Sequence, residues 1–257
     1  MAYGAIAALQ DQAFVLGVRT HAADPERRRT LAYEILKDPS YVLSLPNTAG
    51  AAGMVIAALG TDGSQLMTTG LAVKQAAYDV QRSAWSKSEI PNRDMRLAGA
   101  KSLSITPRTG EVSETLRLQQ ATSGAAPIAL APQTASPPYT PFVVRSIALA
   151  ALAALGYAGD DFQAHTSAVL ADPASSSCLT MSKLNLYQCL AVAKPHYEDV
   201  FCLGQHALID TGRCMARGVG ASEPVDPRVR PLTVAGPVIA QPAPGLVSTP
   251  APTAPKP

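Results

Sequence analysis

The sequence predicts an all-α fold, and three observations carry the prediction. Apolar residues recur at spacings of three and four, sustained alternation of β-branched residues is missing, and Asp or Asp-Pro pairs stand where helices would begin. An apolar fraction of 47% with 5% aromatics adds that the core is built from Ala, Leu and Val.

The elements follow in chain order. The amino terminus, MAYGAIAALQDQAFVLGV, has no basic start, and Gln10, Asp11 and Gln12 cut its apolar run, so it does not read as a signal peptide. Asp24 caps a helix with Pro25 at its first position, and ERRRTLAYEILK follows. Arg27, Arg28 and Arg29 then form a solvated face of that helix. Asp38-Pro39 punctuates the chain again before two helical stretches, TAGAAGMVIAAL and SQLMTTGLAVKQAAYDVQRSAW. Leu103 to Ile105 reads as a short strand-like excursion. Residues 106–139 are rich in Pro, Ser, Thr and Ala and read as a linker or long loop. Phe142 to Ala158 is interrupted by Arg145 and Ser146, which makes it a buried core helix rather than a membrane span of about 20 residues. Asp160 and Asp172-Pro173 start the last helices. From Gly218 the chain is too dense in proline for helix and too poorly patterned for a sheet, so a polyproline-like or disordered tail is expected.

The expected organisation is a helical unit over 1–105, the linker over 106–139, a second helical unit over 140–217 and a flexible tail over 218–257. Sliding the chain on itself by 134 residues brings Asp38, Pro39 and Gly70 onto Asp172, Pro173 and Gly204. On that reading the two units are similar, and only the second carries cysteines.

All four cysteines lie in residues 178–214. Cys178 and Cys189 are eleven apart, which is three turns of helix, so they share one face. Pro195 starts a returning helix with Glu198 and Asp199 in its first turn, where the helix dipole favours them. In an antiparallel hairpin Cys189 then meets Cys202 near the turn, and Cys178 meets Cys214 near the open end. Cys202 and Cys214 are twelve apart, however, which leaves them about 120° out of register on an ideal helix. Something must bend, and Gly212 as an αL helix end is the expected device. Reduced buried thiols and a metal site are the alternatives. Cys202 and His206 could share a metal, but no CxxC or HxxxH spacing of a structural zinc site occurs, and no metal or other cofactor is expected. The twin cysteine pairs resemble those of coiled-coil-helix proteins. The resemblance is confined to this segment, implies a stapled hairpin and brings no activity with it.

ALIDTG, residues 207–212, resembles the hydrophobic-hydrophobic-Asp-Thr-Gly loop of aspartic peptidases. The resemblance implies that Asp210 is a catalytic carboxylate supported by Thr211 and Gly212. Arg213 follows where a small residue is usual, a second DTG is missing, and the flanks are helical in pattern. The competing reading makes Gly212 the cap of a helix C-terminus. His21, His165, His196 and His206 have no Ser or Cys partner motif, and His206 reads as a core imidazole beside Cys202 and Ile209. Lys183, Tyr187 and Tyr197 form a candidate patch on the hairpin.

A formal charge of +2 with 16% charged residues leaves no basic footprint for nucleic acid. Two disulfides would place the protein in an oxidising compartment, periplasmic or extracellular. Its leader would then precede this numbering, or export would use another route. The functional expectation is a non-enzymatic exported helical scaffold or adaptor, a subunit of a bacterial envelope or extracellular assembly. Its partner is another protein or a further copy of itself. A hydrolase using Asp210 and a cytoplasmic helical binding protein with reduced thiols are the alternatives.

Overall fold

The structure is a computed structural model that describes residues 1–106, 113–124 and 127–224. Residues 225–257 of the expected tail and 107–112 and 125–126 of the linker lie outside the described residues, and Gly218 and Val219, expected in the tail, instead complete the last helix. The described chain is all-α: twelve α-helices and no named strand, with Met1–Pro224 packed as one unit. Helices α1 (Ala2–Ala8), α2 (Gln12–His21) and α3 (Pro25–Lys37) come first. The Asp11 carboxylate caps α2 by accepting from Phe14 N at 3.1 Å, and the Asp24 carboxylate caps α3 at Glu26 N and Arg27 N.

Helix α4 (Thr48–Val80) joins the two predicted stretches without a break at GTDG. Packing overrides the poor helix propensity of Gly60 and Gly63, because that face lies against the C-terminal helix. Helices α5 (Ala84–Lys87) and α6 (Arg93–Ile105) follow. Leu103 to Ile105 therefore extends a helix and forms no strand. Contacts distant in sequence hold both its ends, Arg96 donating to Leu190 O and Lys183 to Thr106 O, an anchoring that local pattern does not reveal.

The expected linker carries helix α7 (Ser113–Thr122), whose Leu118 and Ala121 are buried. Residues 127–139 run as a long loop pinned to α4 and α1–α2, with Ala135 N donating to Ala49 O and Ile128 N to Gln10 Oε1. Helix α8 (Pro141–Ala154) is the centre of the core, with every residue from Ser146 to Ala154 buried, as its alanine-rich sequence predicts. Helix α9 (Gln163–Leu170) then leads to α10 (Pro173–Val192), α11 (His196–Cys202) and α12 (Asp210–Val219).

One apolar cluster gathers α1, α2, α3, the first third of α4, parts of α7 and α9, and α8. It stops at Leu59 on α4 and reaches α12 at Val219, with Met215 packed against it. The second half of α4 together with α6, α10 and α11 therefore lies outside it. Tyr3 on α1 donates to Asp62 Oδ2 at 2.8 Å near this boundary, and burial, with the Asp62 carboxylate, pushes its phenol up to about 12.

Candidate functional site: a stapled helical layer

Helices α4, α12 with the segment leading into it, α10 and α6 pack side by side, each mainly on its neighbours. The hairpin is built locally by capping. Asp172 Oδ2 accepts from Ser175 N at 2.9 Å with Pro173 at the first position, so α10 starts where the sequence predicts. Pro195 is the N-cap of α11, and Glu198 Oε2 accepts from Lys194 N at 2.9 Å across the turn. Both predicted bridges form, Cys178–Cys214 and Cys189–Cys202, each with Cα atoms 5.7 Å apart, and no described cysteine is free. No group of three or more His, Cys, Asp or Glu that could hold a metal occurs among the described residues.

The twelve-residue spacing of Cys202 and Cys214 is absorbed by a device other than the expected one. Leu203–Ile209 is a π-helix, in which Asp210 N donates to Gln205 O, five residues back. A π-turn inserts one extra residue, so twelve residues advance the helix as eleven ordinarily would and the mismatch falls from about 120° to about 20°. Gly212 is consequently not a helix end: it sits inside α12, and the αL cap is Gly220, with φ of 70°. Ser182, the single buried residue of α10, donates to His206 O at 2.6 Å within the π segment and meets Thr211 Oγ1 at 3.1 Å. Ser182→Ala is expected to cost about 1–3 kcal/mol by leaving polar partners unpaired, seen as a lower urea midpoint at unchanged m.

The same extra residue sets the register against α4. Gly63 lies against Gly212 and Gly70 against Gly204, seven residues apart on one helix and eight on the other. Two glycines matched by sliding the sequence on itself, Gly70 and Gly204, thus touch. On the far side α6 caps the end of α10. Arg96 donates to Leu190 O at 3.2 Å and forms a two-pronged ion pair with Asp199 of α11, and Arg93 donates to Ala193 O at 3.0 Å. These arginines and glycines escaped sequence reading. The signal available was the spacing of Gly63 and Gly70 at two helical turns.

Asp210 opens α12, with Gln205 Nε2 donating to it at 3.0 Å and His206 Nδ1 2.7 Å away. Lys74 Nζ reaches Gln205 Oε1 at 2.7 Å and lies 5.0 Å over the Phe201 ring. Among the described residues Asp210's partners are thus an imidazole, an amide and Arg213, without the second carboxylate that the peptidase dyad requires. His206 is half-buried and paired with Asp210, whereas His21 and His165 are exposed and His196 begins α11. His21 lines an open groove of about 440 Å3 between α2 and the Pro46–Asn47 turn, in which no carboxylate takes part. Lys183 donates to Thr106 O, tying α10 to the end of α6, so it is no free member of a patch with half-buried Tyr187 and Tyr197. Glu198 and Asp199 are committed to the turn and to Arg96.

No helix among the described residues is long and apolar enough to cross a membrane. No family model, curated protein or solved structure matches the chain.

Proposed function

We propose that the chain is a non-enzymatic helical scaffold or adaptor that works outside the cytoplasm, as a protein-binding subunit of a bacterial envelope or extracellular assembly. One observation carries the reading: both disulfides are formed by residues outside the main apolar cluster. Ordinary domains bury each helix between layers, and here α10 buries one residue of twenty while Met181 and Val192 face solvent. Covalent bridges take over the role that burial plays in the core. A helix layer held rigid with apolar side chains outward suits recognition of a protein surface. The paired cysteines are compatible with an oxidising compartment.

The test is a thiol titration of full chain isolated without reductant and denatured, with mass mapping of the linked peptides. No free thiol is expected, with 178–214 and 189–202 linked. Four titratable thiols in material taken from its native compartment would overturn the exported reading and favour a cytoplasmic binding protein.

A further inference from the structure

The outer face of α6 carries an exposed stripe that no described residue covers. Met95 is 71% exposed and Ile105 80%, and Ala98, Gly99 and Ser102 between them are exposed as well. The stripe Met95, Ala98, Ser102, Ile105 has spacings of three, four and three, the a/d period of a coiled-coil seam, and contains no charge. Its middle is small, and nothing lies within 4 Å of the place where a Cβ on Gly99 would stand. The inward face is already used, because Arg93 and Arg96 hold α10 and α11 and Ala100 is buried.

We infer that α6 pairs antiparallel with α6 of a second copy of this chain, about a two-fold axis at the level of residue 100. This deepens the scaffold reading by naming its docking face and occupant. The stripe is symmetric about that residue. Met95 falls opposite Ile105 of the other copy, and Ala98 falls opposite Ser102, so large residues close both ends and small ones let the helix axes approach in the middle. A two-fold interface demands such self-complementarity. Charge agrees with it. Asp94 and Lys101 are seven residues apart and so share one flank of the stripe, and neither forms an ion pair among the described residues. In the antiparallel pair the same flanks meet, and each Asp94 comes within about five residues' rise, or about 7.5 Å along the axis, of the other copy's Lys101. A lysine stem spans that offset, which gives two reciprocal pairs at the rim.

Sedimentation of the full, disulfide-bonded chain over a concentration series tests the pairing. A reversible monomer–dimer equilibrium is expected for the wild type. Ala98→Glu and Ser102→Glu should each abolish the dimer at unchanged helicity, since both sites are exposed. Asp94→Lys should weaken it about tenfold, and Asp94→Lys combined with Lys101→Asp should restore it, because the swapped charges complement again. A wild type that stays monomeric, a dimer indifferent to Ala98→Glu, or a charge swap that fails to restore pairing overturns the inference. A monomer would leave the stapled scaffold standing, whereas four free thiols would remove the exported reading without touching the seam.

Discussion

Reduction and alkylation of the four cysteines are expected to unfold residues 173–219 while α8 keeps its protected amides. The bridges close loops of 36 and 13 residues. Chain entropy alone assigns about 4 kcal/mol to the outer bridge and about 3 kcal/mol to the inner one. The loops are nested, so with the inner bridge closed the outer one constrains only about 23 further residues, and the two together contribute about 6 kcal/mol. That is comparable with the whole stability of an ordinary domain, about 5–15 kcal/mol. The loss falls on a region held otherwise by a narrow buried strip along α4, including Ile209 and Ala216, by glycine contacts, and by polar ties such as the Arg96–Asp199 pair and Ser182. The apolar cluster around α8 contains no cysteine and should survive as a separate cooperative unit. Amide exchange with peptide mapping, before and after alkylation, reads the difference directly. Slow exchange in α10–α12 after alkylation, or loss of α8 in step with them, would show that burial rather than the bridges holds the layer.

What the sequence revealed and what it concealed divide along physical lines. Capping and covalent geometry are local, so Asp24-Pro25, Asp172-Pro173, the Pro195 turn and both cysteine pairings were legible. The alanine-rich run at α8 announced its burial by composition alone. The twelve-residue cysteine spacing also announced a distortion, although not its kind. A glycine permits both an αL end and a close helix approach, and only the neighbouring helix decides. At Gly212 that neighbour is Gly63, which keeps α12 straight through the glycine and moves the correction upstream into the π segment. Leu103 to Ile105, expected as strand-like, and Leu118, expected in a linker, were misread for a related reason: each is placed by a contact distant in sequence, with α10 or with α1 and α8. Asp210 shows the converse. Its DTG context suggested chemistry, while its surroundings supply an imidazole and an amide on one helix face and, among the described residues, no partner carboxylate.

The seam between α4 and the π-containing helix should tolerate one added methyl group poorly. A Cβ on Gly70 would stand 2.7 Å from Gly204 O, and one on Gly212 would stand 2.6 Å from Gly63 O. Both obstacles are backbone carbonyls of a neighbouring helix, which cannot rotate away as a side chain does. Gly70→Ala and Gly212→Ala are therefore each expected to cost about 1–3 kcal/mol by forcing the helices apart, even after the gain of up to about 1 kcal/mol that alanine brings to a helix interior. Gly99→Ala, measured at a concentration where the chain is monomeric, is the control, because nothing within the chain crowds it, and it should stabilise by about 0.5–1 kcal/mol from propensity alone. Gly70 and Gly204 face each other, so once one substitution has separated the helices the second meets less resistance. The double variant Gly70→Ala with Gly204→Ala should then lose less than the two single variants added together, a coupling of the size that contacting residues show in double-mutant cycles. Urea unfolding of the four proteins measures it. A neutral Gly70→Ala would mean that the helices sit farther apart than the glycines imply, and strict additivity would mean that the two sites are not in contact.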